Sequence, residues 1–278
     1  MKYELLEPKN TIFNLYQIRA LKDFGNVKAG QLGGYVENSN NLSQEGFCWL
    51  YERSYAKAYS RIVDDAQIFH AIIYGDAYIS GNIELHNRCL IGGTRSKVRI
   101  GGNAKIYSSK ILDNSSVYGN VEIHNSILGG NAKAFGDSKI YNSSIYDYGE
   151  VFGKAIIRKN SVIKCEVSGC ADISETILDS TKDYITIDGI YFKNVSFTYV
   201  FKNQYGVDNW CVRGFTDDKL IISFSSKEML KYIADVEDKT IAAEFKNAMY
   251  ICNQVKYARE QNCEFRHNKL NSHITRFN

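Results

Sequence analysis

AKIYSSKILDNSSVYGNVEIHNSILGGNAKAFGDSKIYNSSIYDYGEVFGKAIIRKNSVIKCEVSGCADI, running from Ala104 to Ile173, decides the fold. Set in rows of seventeen, it aligns with itself. Ala104-Lys105-Ile106 stands over Val121-Glu122-Ile123 and Ser138-Lys139-Ile140, and Ala155-Ile156-Ile157 closes the next row. Between these triplets the same small-x-aliphatic pattern returns at about six-residue steps, as in Ser109-Lys110-Ile111, Ser115-Ser116-Val117 and Ser161-Val162-Ile163. Each triplet predicts a short strand with alternate residues pointing inward, and pairs such as Gly119-Asn120, Gly136-Asp137 and Asn142-Ser143 turn the corners. One such coil cannot bury its inner face and a stack can, so the reading is mainly β: a three-sided parallel solenoid of about 17-residue coils.

The period also fixes what lies above what. Residues one coil apart stack at the strand spacing of about 4.8 Å, so outward positions form ladders. One ladder reads Lys105, Glu122, Lys139, alternating in sign; another reads Phe69, His86, Tyr107, His124, Tyr141, Arg158. The longer step from His86 to Tyr107 is assigned to an insertion, with Gly92 to Lys97 as a loop thrown out of the coil.

Of the 278 residues 44% are hydrophobic, ample for a core, and a single proline with 21 glycines and 20 tyrosines suits tight corners and strands better than a helical bundle. A net charge of +3 lacks the basic excess expected of a nucleic-acid binder. The seven cysteines are scattered without a C-x-x-C pair and read as small buried side chains in a reducing compartment. No metal set such as His-Glu-x-x-His occurs. Neither a signal core nor an apolar run of about 20 residues is present, so the expected location is cytoplasmic, away from membranes. Gly-Gly pairs at 33–34, 92–93, 101–102 and 129–130 are read as corner turns.

Residues 1–40 do not fit the coil and are assigned to a β cap over the open solenoid end. Coils follow over 41–180, about seven of them, closing near Ile177-Leu178. The stretch IRALKDFGNVKAGQLGGYVENSNNLSQEGFCWLYERSYA, from Ile18 to Ala56, followed by degenerate hexapeptides, resembles the YdcK-type β-solenoid family of bacteria and phages. The resemblance covers about residues 10 to 180. It implies a left-handed parallel β-helix, related to hexapeptide-repeat acyltransferases.

From Asp183 the period ends. Tyr184–Ile187, Val195–Phe201, Trp210–Arg213 and Lys219–Ser223 predict an antiparallel meander, with turns at Asn203–Gly206 and Thr216–Asp218. Ser225 and Glu228 have capping-box spacing, and Ile241, Phe245, Ala248, Cys252 and Val255 make one helical face. The expected α+β domain spans 183–265, with a polar tail over 266–278.

Two functions fit these residues. In the favoured one the chain is a non-catalytic scaffold or binding module without a cofactor, a homo-oligomer with a trimer favoured. Its binding residues would be Tyr107, His124, Tyr141 and Arg158, and its partner a host protein or small ligand, possible in a phage or prophage setting that the resemblance implies. The alternative, implied by the related transferases, is acyl transfer from a coenzyme A thioester, with His86 or His124 as general base at a subunit interface. His70 has no assigned role.

Overall fold

The computed structural model describes residues 1–7, 14–94, 97–188, 195–201, 205–214, 220–237 and 239–274. By internal contacts the chain forms two units: residues 1–170 with 177–179, and residues 171–176 with 180–278.

The first unit is a parallel β-solenoid of about eight turns, one more than the spacing count gave. Each turn lays one short strand in each of three sheets. One sheet contains Glu84–His86, Lys105–Tyr107, Glu122–His124 and Lys139–Tyr141 in succession, and another contains Ala71–Gly75, Cys89–Gly93, Lys110–Leu112 and Ile127–Leu128. The third holds Arg99–Gly102, Ser116–Gly119 and Lys133–Gly136. In the first turn Leu42 contributes only a single bridge to Ile62 in place of a strand.

Register follows the seventeen-residue period. Ile106 pairs beside Ile123 and Ile123 beside Ile140, all fully buried, while Lys105, Glu122 and Lys139 face outward in line. Each buried isoleucine is worth roughly 1.5–3 kcal/mol of hydrophobic stabilisation. Corners are tied by side chains seventeen apart. Asn103 Nδ2 donates to Asn120 Oδ1 at 2.9 Å, and Asn120 Nδ2 donates to Asp137 Oδ1 at 2.8 Å. Inside, the backbone N–H of Ser126 donates to Ser109 Oγ at 3.0 Å, and that of Ser143 donates to Ser126 Oγ at 3.1 Å. These serines are thus paired between coils, which supports one register only.

Strands Tyr3–Leu5, Tyr16–Ala20 and Leu32–Val36 add antiparallel pairs to one sheet before the parallel stack begins. Trp49 is fully buried, with the rings of Tyr3 and Phe24 edge-on at 6.3 and 5.4 Å. Lys2 is buried too; its Nζ donates to the carbonyls of Glu45, Gly46 and Cys48 at 3.0–3.3 Å, and it lies 3.3 Å from Cys48 Sγ. Burial pushes the Lys2 ammonium below its ordinary pKa and the Cys48 thiol above its own.

Three of the four Gly-Gly pairs depart from the corner reading. Gly33–Gly34, Gly92–Gly93 and Gly101–Gly102 belong to strands. At Gly33 a Cβ would stand 2.6 Å from the Leu50 carbonyl and 2.7 Å from the Trp49 ring, so close approach of the backbone to the next coil accounts for the residue. The expected loop at Gly92–Lys97 shrinks accordingly: Gly92 and Gly93 remain paired with Tyr74 and Gly75, and Arg95 and Ser96 lie outside the described residues.

In the second unit strands Tyr184–Asp188, Val195–Val200, Asn209–Gly214 and Leu220–Phe224 form the antiparallel meander in sequence order. The turns expected around Asn203 and Asp217 fall outside the described residues, apart from Tyr205 and Gly206. Helix Ser226–Asp235 starts at the capping box of Ser225 with Glu228. Helix Lys239–Ile274 packs Phe245, Ala248, Met249 and Cys252 against Phe197, Tyr199 and Trp210. Its backbone stays helical past residue 266, where a tail was expected, because polar residues signal exposure and do not by themselves end a helix. Among the described residues no helix is long and apolar enough to cross a membrane.

Candidate functional site

At the ends of six successive strands of one solenoid face an outward position carries a ring, and coil stacking brings these rings into a column. Tyr51 and Phe69 lie 4.1 Å apart by ring centroids, Phe69 and His86 4.5 Å, His86 and Tyr107 5.1 Å, Tyr107 and His124 4.4 Å, and His124 and Tyr141 5.2 Å. The first four pairs are near-parallel, at 5–15°, and the last is tilted by 34°. An aromatic pair contributes about 0.5–1.5 kcal/mol beyond area burial, so the column stiffens this edge as it covers it. The pairing of His86 with Tyr107 absorbs the longer sequence step. Arg158 ends the adjoining strand Ile156–Arg158, where Ile156 and Ile157 pair with Lys139 and Ile140.

Both histidines have a carboxylate two residues back on the same strand face. Glu122 Oε1 is 2.7 Å from His124 Nε2, and Glu84 Oε2 is 3.4 Å from His86 Nε2. Lys105 Nζ lies 3.4 Å from Glu84 Oε1, so charges alternate along the coils beside the rings. The sequence contained the signal: Glu-x-His occurs at both places, and alternate strand residues share a face. Tyr51 was missed as well. It stands eighteen residues before Phe69, outside a strict count of seventeen.

This geometry limits what the histidines do chemically. Each ring is covered on both faces, and its Nε2 is turned to its own strand's glutamate. A general base needs an open nitrogen within reach of the proton it takes, and with Nε2 turned to the glutamate that nitrogen is Nδ1. After His86 the strand Cys89–Gly93 keeps Gly92 and Gly93 in the sheet. Among the described residues no group of three His, Cys, Asp or Glu side chains could hold a metal ion.

Beyond the column, at the corner that leads into the next sheet, lies a groove of about 710 Å³. Arg53, His70 and Arg88 stand at successive turns of that corner, and Tyr55, Ile72 and Lys110 line the adjoining sheet. His70, unassigned from sequence, belongs to this groove. A smaller groove of about 450 Å³ lies by Tyr59, Tyr74, Asp76 and Lys97.

Fold and column define a class, the parallel β-solenoid with a stacked aromatic edge. No family model matches the chain. One curated relative, described as the uncharacterized acetyltransferase YdcK of Escherichia coli (strain K12), is 34% identical over 79 residues, which is 28% of this chain. The chain covers 19% of that relative's length.

Proposed function

We propose that the chain is a non-catalytic β-solenoid binding module that associates with its own copies, as a trimer, through the ring column, and that its partner is a host protein or a small ligand. The observation that carries this reading is the continuous column of six rings, half-buried at the edge of one sheet and framed by alternating charges. A rigid aromatic row presents contact area with little conformational entropy to lose, the composition favoured at interface centres.

The second reading is a coenzyme A-dependent acyltransferase with His86 or His124 as base. It is favoured by the description of the Escherichia coli relative and by the glutamate beside each histidine. Ring faces covered by the neighbouring rings of the column weigh against it. Calorimetric titration of the full chain with coenzyme A and acetyl coenzyme A separates the two. The binding-module reading expects no saturable heat and no acyl transfer to amine acceptors. Saturable binding, with transfer abolished in His124→Gln or His86→Gln at unchanged stability, establishes the enzyme instead.

A further inference from the structure

The groove beside the column has a composition that the association reading does not use. Its volume, about 710 Å³, falls in the range of roughly 300–1,000 Å³ typical of small-molecule sites. One side is the corner, where Arg53, His70, Arg88 and Ser108 follow one another along the solenoid axis. The other is a row on the sheet, Tyr55, Ile72, Leu90 and Lys110, stacked by the pairing of Tyr55 with Ile72, Ile72 with Leu90, and Leu90 with Lys110. Cations thus face a mainly apolar floor. Ile72 is 42% exposed, a large apolar side chain in the open.

Two further facts separate this arrangement from ordinary surface charge. Among the described residues no carboxylate lines the groove, and no ion pair joins Arg53, Arg88 or Lys110 to one. Moreover, Arg53 and Arg88 occupy left-handed backbone, with φ of 61° and 65°. Long side chains gain nothing from that conformation, whereas asparagine tolerates it by bonding locally. Later coils turn the same corner with Asn125 and Asn142, each at φ 47°. Turning the corner therefore does not require arginine, although Lys159 at φ 55° and Glu175 at φ 54° also place long side chains in this conformation.

We propose that this groove binds a small amphiphilic anion, its carboxylate or phosphate head held by the fork of Arg53 or of Arg88 in the field of the neighbouring cations, Lys110 among them, and its apolar body laid on Tyr55, Ile72 and Leu90. The guanidinium forks match either head group in two-point fashion, and desolvation by the apolar floor strengthens that contact. Heads on two arginines two coils apart would sit about 10 Å from each other, so a single head takes one fork and the neighbouring cations set the field. The site stands independently of the ring column's role.

The test is calorimetric titration of the full chain at low salt with octanoate and with octyl phosphate, beside octanol and inorganic phosphate. Saturable binding of one molecule per chain is expected for at least one of the two amphiphiles, about tenfold or more tighter than for octanol or phosphate. The tighter amphiphile identifies the head. The substitutions Arg53→Asn and Arg88→Asn together weaken binding about tenfold or more, with a melting temperature unchanged or raised because asparagine suits the left-handed corner. Octanol binding as tightly as the charged amphiphiles, phosphate binding as tightly as octyl phosphate, affinity retained in the double variant, or no binding of either amphiphile would each overturn the proposal.

Discussion

Replacing Gly119 by alanine tests the stacking of the coils at a single atom. Gly119 ends the strand Ser116–Gly119 at φ +96° and pairs with Gly102 on one side and Gly136 on the other. An added Cβ would meet the Gly136 carbonyl oxygen at 2.7 Å, its nitrogen at 3.0 Å and its Cα at 3.2 Å, all of them backbone atoms of the next coil. No side chain there can swing away, so the backbone must move. Left-handed conformation costs a non-glycine residue about 1–2 kcal/mol, and forcing an extra carbon into a packed contact costs about 1–3 kcal/mol more. The expected loss is about 2–5 kcal/mol, concentrated in the coils on either side. Hydrogen exchange read by mass spectrometry on the full chain measures it, through lost protection of amides in Ser116–Gly119 and Lys133–Gly136. Asn125→Gly is the control, since φ is 47° there and glycine adopts it freely; its protection stays within about 0.5 kcal/mol of wild type. Gly119→Ala behaving like that control would refute the close stacking of coil on coil.

Other predictions concern separate parts of the chain. Ile123→Ala, at a fully buried position facing Ile106 and Ile140, lowers the stability of the first unit by about 2–5 kcal/mol in urea titrations followed by Trp49 fluorescence in a Trp210→Phe background. Lys2→Met removes the donor shared by three carbonyls and costs at least about 2 kcal/mol in the same assay. Because burial lowers the Lys2 pKa below 10.5, the unfolded chain holds that proton more tightly, and this residue's penalty eases as pH rises toward 10.5. Cys252 has the opposite sign. Burial pushes its thiol up to about 12 from an ordinary 9.0, so its contribution is complete below pH 9 and is lost as pH climbs toward 12. Cys252→Ala therefore flattens the alkaline loss of stability of the second unit, read from Trp210 in a Trp49→Phe background.

The seventeen-residue period made the solenoid legible because side-chain alternation and corner chemistry repeat together. Where Ile106, Ile123 and Ile140 recur, register has one solution, and even the irregular step from His86 to Tyr107 is resolved by the ladder. The first turn is the least regular, since Leu42 bridges Ile62 without a strand. Gly92 and Gly93 misled because a glycine pair marks close backbone approach as well as a turn. The partners of the histidines were within reach, as Glu84 and Glu122 share a strand face with them. The groove was not. Arg53 and Arg88 line one groove only because their corners stack, and the two-residue corner at Asn87-Arg88 shifts the arginine off the count. In the second unit the amphipathic face of Phe245, Ala248 and Cys252 was readable; the side chain of Ile241 lies outside the described residues.

Light scattering coupled to size-exclusion chromatography, on the wild-type chain and on Tyr107→Ser with Tyr141→Ser, tests most directly whether the ring column is where copies of this chain meet. The account predicts three times the chain mass for wild type and a single chain mass for the folded double variant. A wild-type monomer, or a variant that keeps the wild-type mass, contradicts it.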